Sequence, residues 1–167
     1  MTESVCEEKI FDSVFMSHSE YLRNFLYYKS GDLQRSEDLM QDAFCTLWEE
    51  CAKVPIEKAK SFLFTVASNL FLNQEKHKKV VLKFERRKRN KTNKETPQFL
   101  LEKDEFEKRL QAGINALSEG QREVFLMSRI DGLKYREIAE RLGVSIKAVE
   151  KRMHKALLSL REISKKV

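Results

Sequence analysis

Between Ser145 and Lys155 the chain reads SIKAVEKRMHK, and its polar groups are sorted by side. At about 100° per residue Val149, Met153, Ala156 and Leu160 share one narrow sector of a helix, whereas Lys147, Lys151, His154 and Lys155 point the other way. A helix built like this holds hydrogen-bonding cations outward, which suits it to the major groove of DNA. Glu150, Lys151, His154 and Lys155 project where base edges would be: a glutamate can accept from cytosine N4, and a lysine can donate to guanine O6 or N7. Arg152 lies to the side and is expected to grip the phosphate backbone. Ser145 can cap the helix and leave its amide end near a phosphate.

A second constellation precedes it. Phe64, Asn69, Phe71, Asn73, Lys76, Lys78 and Lys79 place aromatics, amides and cations within reach of one another. Unpaired bases offer π faces and Watson–Crick edges, so a surface that opens a duplex needs these residue types. Bond-making chemistry finds no such support. His18, His77 and His154 are isolated, no carboxylate pair flanks a nucleophile, and there is no glycine-rich phosphate loop. Neither a catalytic site, a metal site, a cofactor nor a small-molecule substrate is expected. Cys6, Cys45 and Cys51 form no CxxC pair, and an odd count argues against a complete disulfide framework, so buried thiols are expected.

Helices must position both sets. Apolar residues recur at three- and four-residue steps from about Glu7 to Lys29. Gly31-Asp32 breaks that pattern and offers an N-cap. The next helix sets Leu39, Met40, Ala43, Phe44, Leu47 and Trp48 against an acidic side, and Trp48 is expected in the core. Pro55 ends that segment, and a third helix over about 57–84 turns basic toward its end. RRKRNKTNKETP has no apolar periodicity and reads as a linker. Helices follow at 99–117 and from Ser118, which with Gln121 forms a capping-box candidate, through Arg129. After the Asp131-Gly132 turn, Ala139, Gly143 and Val149 fall at steps of four and six. That is the spacing of a helix-turn-helix: a small residue permits close crossing, a glycine takes the turn's positive φ, and an aliphatic locks the second helix to the first.

Charge divides the same way. Residues 1–51 hold eleven acids and four bases, whereas the whole chain of 167 residues carries +6. Between Lys76 and Lys94 ten bases face one acid, Glu85, a density that needs an anionic partner or counterions to offset it. Nucleic acid leads, with an anionic membrane surface behind it. No apolar run approaches the roughly 20 residues of a membrane span, and acids interrupt the first eleven residues, so a cytoplasmic location is expected.

Two separated blocks resemble a known family. SEDLMQDAFCTLWEE and SFLFTVASNLFLNQEKHKK resemble "AEDLvQevFlrlW" and "aWLftIArNlaiDylRrrkR", and LSEGQREVFLMSRIDGLKYREIAERLGVSIKAVEKRMHKALLSLRE is similar to "LPekqReVflLrriegLsyeEIAerLgiSvgTVksRlhRAlkkLre". These are segments of the extracytoplasmic-function sigma factors of the sigma-70 family. The resemblance implies an all-α chain of two small helical domains, σ2 over 1–84 and σ4 over 99–167, joined by a basic linker at 85–98. It implies that σ2 binds core RNA polymerase through its clamp helices and opens the minus-10 DNA. The second domain would dock on the polymerase flap and read the minus-35 duplex. Asp38, Gln41, Asp42 and Phe44 would then contact core. The aromatic, amide and lysine set from Phe64 to Lys79 would take the minus-10 strand, and Ser145, Lys147, Glu150, Lys151, Arg152, His154 and Lys155 the minus-35 element. Family habit adds a membrane-bound anti-sigma factor. This chain departs from the pattern at Ser68, where Arg is common, at Asn73, where an acid is common, and at KAVEKR, so base preferences do not carry over. A stand-alone helix-turn-helix regulator is the rival reading, and it leaves the acidic helix without a purpose. A basic membrane adaptor would want more apolar residues among the bases than Val80, Val81, Leu82 and Phe84.

Overall fold

The computed structural model describes residues 3–85 and 105–164, with side chains over 3–76 and 106–163. These residues form seven α-helices: α1 Glu8–Ser30, α2 Leu33–Glu49, α3 Ala59–Glu85, α4 Glu105–Ala116, α5 Glu119–Arg129, α6 Tyr135–Leu142 and α7 Ile146–Ser164. No strand occurs among them. The expected linker at 85–98 lies, beyond Glu85, outside the described residues.

The helix ends follow local chemistry. Gly31 takes a left-handed φ of 68° and donates its amide to the Tyr27 carbonyl at 2.8 Å, closing α1. Asp32 then accepts from the Arg35 amide at 3.1 Å and opens α2. Ser118 caps α5 by accepting from the Gln121 amide, as its spacing predicts. Gly143 adopts φ 66° between α6 and α7, and Val144 donates back to the Ala139 carbonyl at 3.1 Å. That left-handed turn lets two short helices cross closely, as the 139/143/149 spacing requires.

Two helical groups result. Helix α1 packs on α2 and α3, with Leu22, Phe25, Leu26, Leu39, Leu47 and Leu63 wholly enclosed. Each such side chain contributes roughly 1.5–3 kcal/mol relative to exposure. Helices α4, α5 and α6 pack on α7 around Val124, Leu126, Met127, Ile138, Val149 and Met153. The groups also touch each other, α1 against α5 and α3 against α6.

Two expectations fail here. Trp48 is not core: it is 48% exposed, set edge-on to Phe11 at 5.1 Å, because α2 runs past the end of α1 at that point. Nor are the cysteines all buried thiols. The turn at Ser4–Glu7 seats Val5 in the core and carries Cys6 onto Cys51 just beyond α2, where the two form a disulfide, while Cys45 is free and exposed. A pairing across 45 positions leaves no trace in local cysteine spacing.

Candidate nucleic-acid interface

Helix α3 carries one exposed polar ridge. Ser61, Thr65, Asn69 and Asn73 follow at four-residue steps, Lys76 comes next, and all five are exposed. Residues spaced by four stack on one face of a helix, so the ridge is continuous. At its amino-terminal end it opens into a cavity of about 270 Å³ lined by Lys53, Pro55, Lys58, Ser61, Phe62 and Thr65. A cavity with ammonium groups, hydroxyls and an aromatic on its walls can stack a planar base and bond its edge. Sequence reasoning found Asn69, Asn73 and Lys76 but missed this cavity. Its walls come largely from the irregular segment after α2, which has no periodicity to read. Lys78 and Lys79 fall on α3, but their side chains lie outside the described residues.

Phe64 and Phe71 stand elsewhere than on the ridge. Phe64 is 1% exposed and tilted against Phe25 at 5.1 Å, and Phe71 is buried under the cations of Lys29 and Arg35. Arg35 is itself held by Gln74 and Glu75 at 2.8 and 2.7 Å. On α2, Asp38, Gln41 and Asp42 are exposed, whereas Phe44 is buried between Phe11 and Phe15 and turns away from the acidic stripe. A continuous apolar stripe is what α2 and α3 need to pack, and these three rings serve it.

Helix α7 differs. Ser145 accepts from the Ala148 amide at 3.1 Å and caps it, and Lys147, Glu150, Lys151, His154 and Lys155 are all exposed. Arg152 is half-buried. It lies over Gly120 of α5, which has no side chain to exclude it, and near enough to Glu123 to favour that carboxylate's charged form.

Between the helical groups runs a polar seam. Asn24 and Tyr28 of α1 both donate to Asp131 Oδ1, at 2.9 and 3.0 Å, and Arg122 donates to the Tyr28 carbonyl at 2.8 Å. Lys29 is shared by Glu119, at 2.8 Å, and Glu123. Lys60 of α3 reaches Glu140 of α6 at 3.2 Å, and the Arg141 guanidinium lies 5.3 and 5.8 Å from the rings of Tyr21 and Phe64. Burial raises the pKa of Glu123 even against Lys29, and raises that of Asp131, whose Oδ2 is buried with no partner. Burial would lower Lys29, but its two carboxylates outweigh that and raise it. His18 is pushed below its usual range by burial and by the nearby Arg141 and Lys60.

Residues 14–80 match the family model described as Sigma-70 region 2, and residues 107–160 match Sigma-70, region 4. The chain is 29% identical over 158 residues to the ferric citrate uptake sigma factor FecI of Escherichia coli (strain K12), covering 88% of this chain and 86% of that one. It is 24% identical over 154 residues to the ECF RNA polymerase sigma factor SigE of Mycolicibacterium smegmatis (strain ATCC 700084 / mc(2)155), covering 90% and 60%. In fold it is similar to the sigma factor RpoE solved in complex with the anti-sigma factor NepR from Bartonella quintana, with a TM-score of 0.69 at 23% identity over 93% of this chain and 96% of that one.

Proposed function

Because the chain belongs to the extracytoplasmic-function group of the sigma-70 family, and so is an alternative sigma factor rather than an enzyme, we propose a specific division of its surface between polymerase and promoter. The observation that carries the reading is the exposed ridge of α3 running from the cavity to the basic end of the helix, at the opposite pole of the chain's charge from α2. Asp38, Gln41 and Asp42 engage the clamp helices of core polymerase, and the carboxy-terminal helices engage the flap. The ridge takes the displaced minus-10 strand: Asn69 and Asn73 bond base edges, Lys76 with Lys78 and Lys79 follows the phosphates, and the cavity captures one extruded base. On α7, Glu150, Lys151, His154 and Lys155 face minus-35 bases, with Ser145 and Lys147 against phosphate. In these terms σ2 spans 1–84 and σ4 99–167.

The partner of the resting protein is an anti-sigma factor, the class seen with the similarly folded sigma factor of Bartonella quintana. Among the described residues no helix is long and apolar enough to cross a membrane, and we place the protein in the cytoplasm with polymerase and template. Purified chain added to core polymerase tests the reading: promoter-specific initiation is expected from a promoter library, and its absence would defeat it. Asn69→Ala with Asn73→Ala should impair open-complex formation with core binding intact. Asp42→Lys should do the reverse, weakening core binding without unfolding, since exposed substitutions usually cost less than about 0.5 kcal/mol.

A further inference from the structure

The seam between the two helical groups is built from groups that do not need each other. Obligate interfaces resemble a domain core cut in half, apolar and tightly packed. Here the contacts across it are Asn24, Tyr28, Lys29 and Lys60 on one side and Glu119, Arg122, Glu123, Asp131 and Glu140 on the other. Removing paired charges from water roughly cancels what their attraction returns, so such a surface holds its halves together weakly. Each half also keeps an alternative. On opening, Lys29 and Lys60 meet water, and Glu123 retains the nearby Arg152 of its own half.

The closed form cannot serve a promoter. A chain of 167 residues folded as one body has a radius of gyration of about 15 Å and so a diameter of about 40 Å. Elements centred at minus-10 and minus-35 lie about 25 base pairs apart, or about 85 Å at 3.4 Å per pair. With α6 seated on α3, the helix that reads one element is held within the same small body as the ridge that reads the other. Arg141 over Phe64, and Lys60 bonded to Glu140, place α6 beside that ridge.

We propose that this seam is an autoinhibitory latch, through which the chain holds its own two DNA-reading surfaces together until binding to core polymerase draws them apart. The latch acts without a second protein. It rests on the promoter reading above, and the test separates the two.

Glu119 and Glu140 are the exposed members of the seam, so Glu119→Lys with Glu140→Lys sets like charges against Lys29 and Lys60 without entering either core. Small-angle scattering of the free full-length chain should show a radius of gyration increased by several ångströms, with helix content unchanged by circular dichroism. With core polymerase held below saturation, promoter-specific initiation should rise at least two-fold. Asp131→Ala, which removes a different pair of hydrogen bonds, should move both readouts the same way. A radius equal to the parent's in both variants would overturn the latch. So would a larger radius with unchanged initiation, since opening would then restrain nothing. If parent and variants alike fail to initiate with core, the sigma-factor assignment of these surfaces falls and takes the inhibitory role with it, whatever the radius shows.

Discussion

Helix α7 meets solvent with its whole outward row in place, whereas α3 keeps its aromatics inside and offers only amides, hydroxyls and a lysine. The difference follows from neighbours. Helix α7 has α4, α5 and α6 on one side and nothing on the other, but α3 is flanked by α1 and α2 and then touched by α6. A helix that reads an intact duplex can wait fully formed. One that receives a displaced strand must be uncovered, and its ring-bearing side has packing to do in the meantime.

The comparison breaks most visibly at Phe64. Phe64→Ala should cost about 3–5 kcal/mol, measured by denaturant unfolding, because it empties a packed position against Phe25. A ring serving only as a base platform would cost a small fraction of that. Lys151→Ala on α7 should leave stability unchanged and instead relax base preference at one minus-35 position by about 1–3 kcal/mol. Holoenzyme affinity for a panel of single-base minus-35 variants reads this directly, and uniform weakening across the panel would put α7 on the backbone. Ser145→Ala should follow at about 1 kcal/mol of lost stability through the missing cap, seen as a lower unfolding midpoint.

The smallest effect is a change of slope with pH at the seam. Asp131 has a folded-state pKa above its ordinary value, through burial, and it faces Asn24, Tyr28 and Glu20 of α1 and Arg141 of α6. A raised carboxyl stabilises the fold fully below its ordinary pKa, and that contribution is lost as pH rises through the folded value. Asp131→Asn should therefore flatten the fall in unfolding midpoint that the parent shows on leaving the acid range. Parallel curves for parent and variant would mean the carboxyl is solvated.

What could be read beforehand depended on how far apart the cooperating residues sit. The α7 face needed only a 3.6-residue period, and the turn before it only the spacing of Ala139, Gly143 and Val149. Asn69 and Asn73 were visible for the same reason. Phe44, Phe64 and Phe71 were ambiguous because an aromatic on a helix serves a core and a base equally well until its neighbours are known. The seam was invisible: Asn24 and Asp131 are 107 positions apart, and each in its own segment looks like a polar residue facing water. The cavity beside α3 was hidden too, since Lys53 and Lys58 belong to a connection with no repeating pattern.

The bond between Cys6 and Cys51 makes a closed ring of the amino-terminal quarter of the chain. All of α1 and α2 lies inside that ring, including Asp38, Gln41 and Asp42, whereas α3 and everything after it lies outside. Topologically, the polymerase-facing helix has no free end while the ring is shut. A protease cutting at the Gly31-Asp32 turn would open the ring without releasing a fragment: the nicked protein would keep its full mass until a reductant separated the two pieces. Fraying of α1 and α2 from their outer ends is likewise confined, because both ends are fastened to one another.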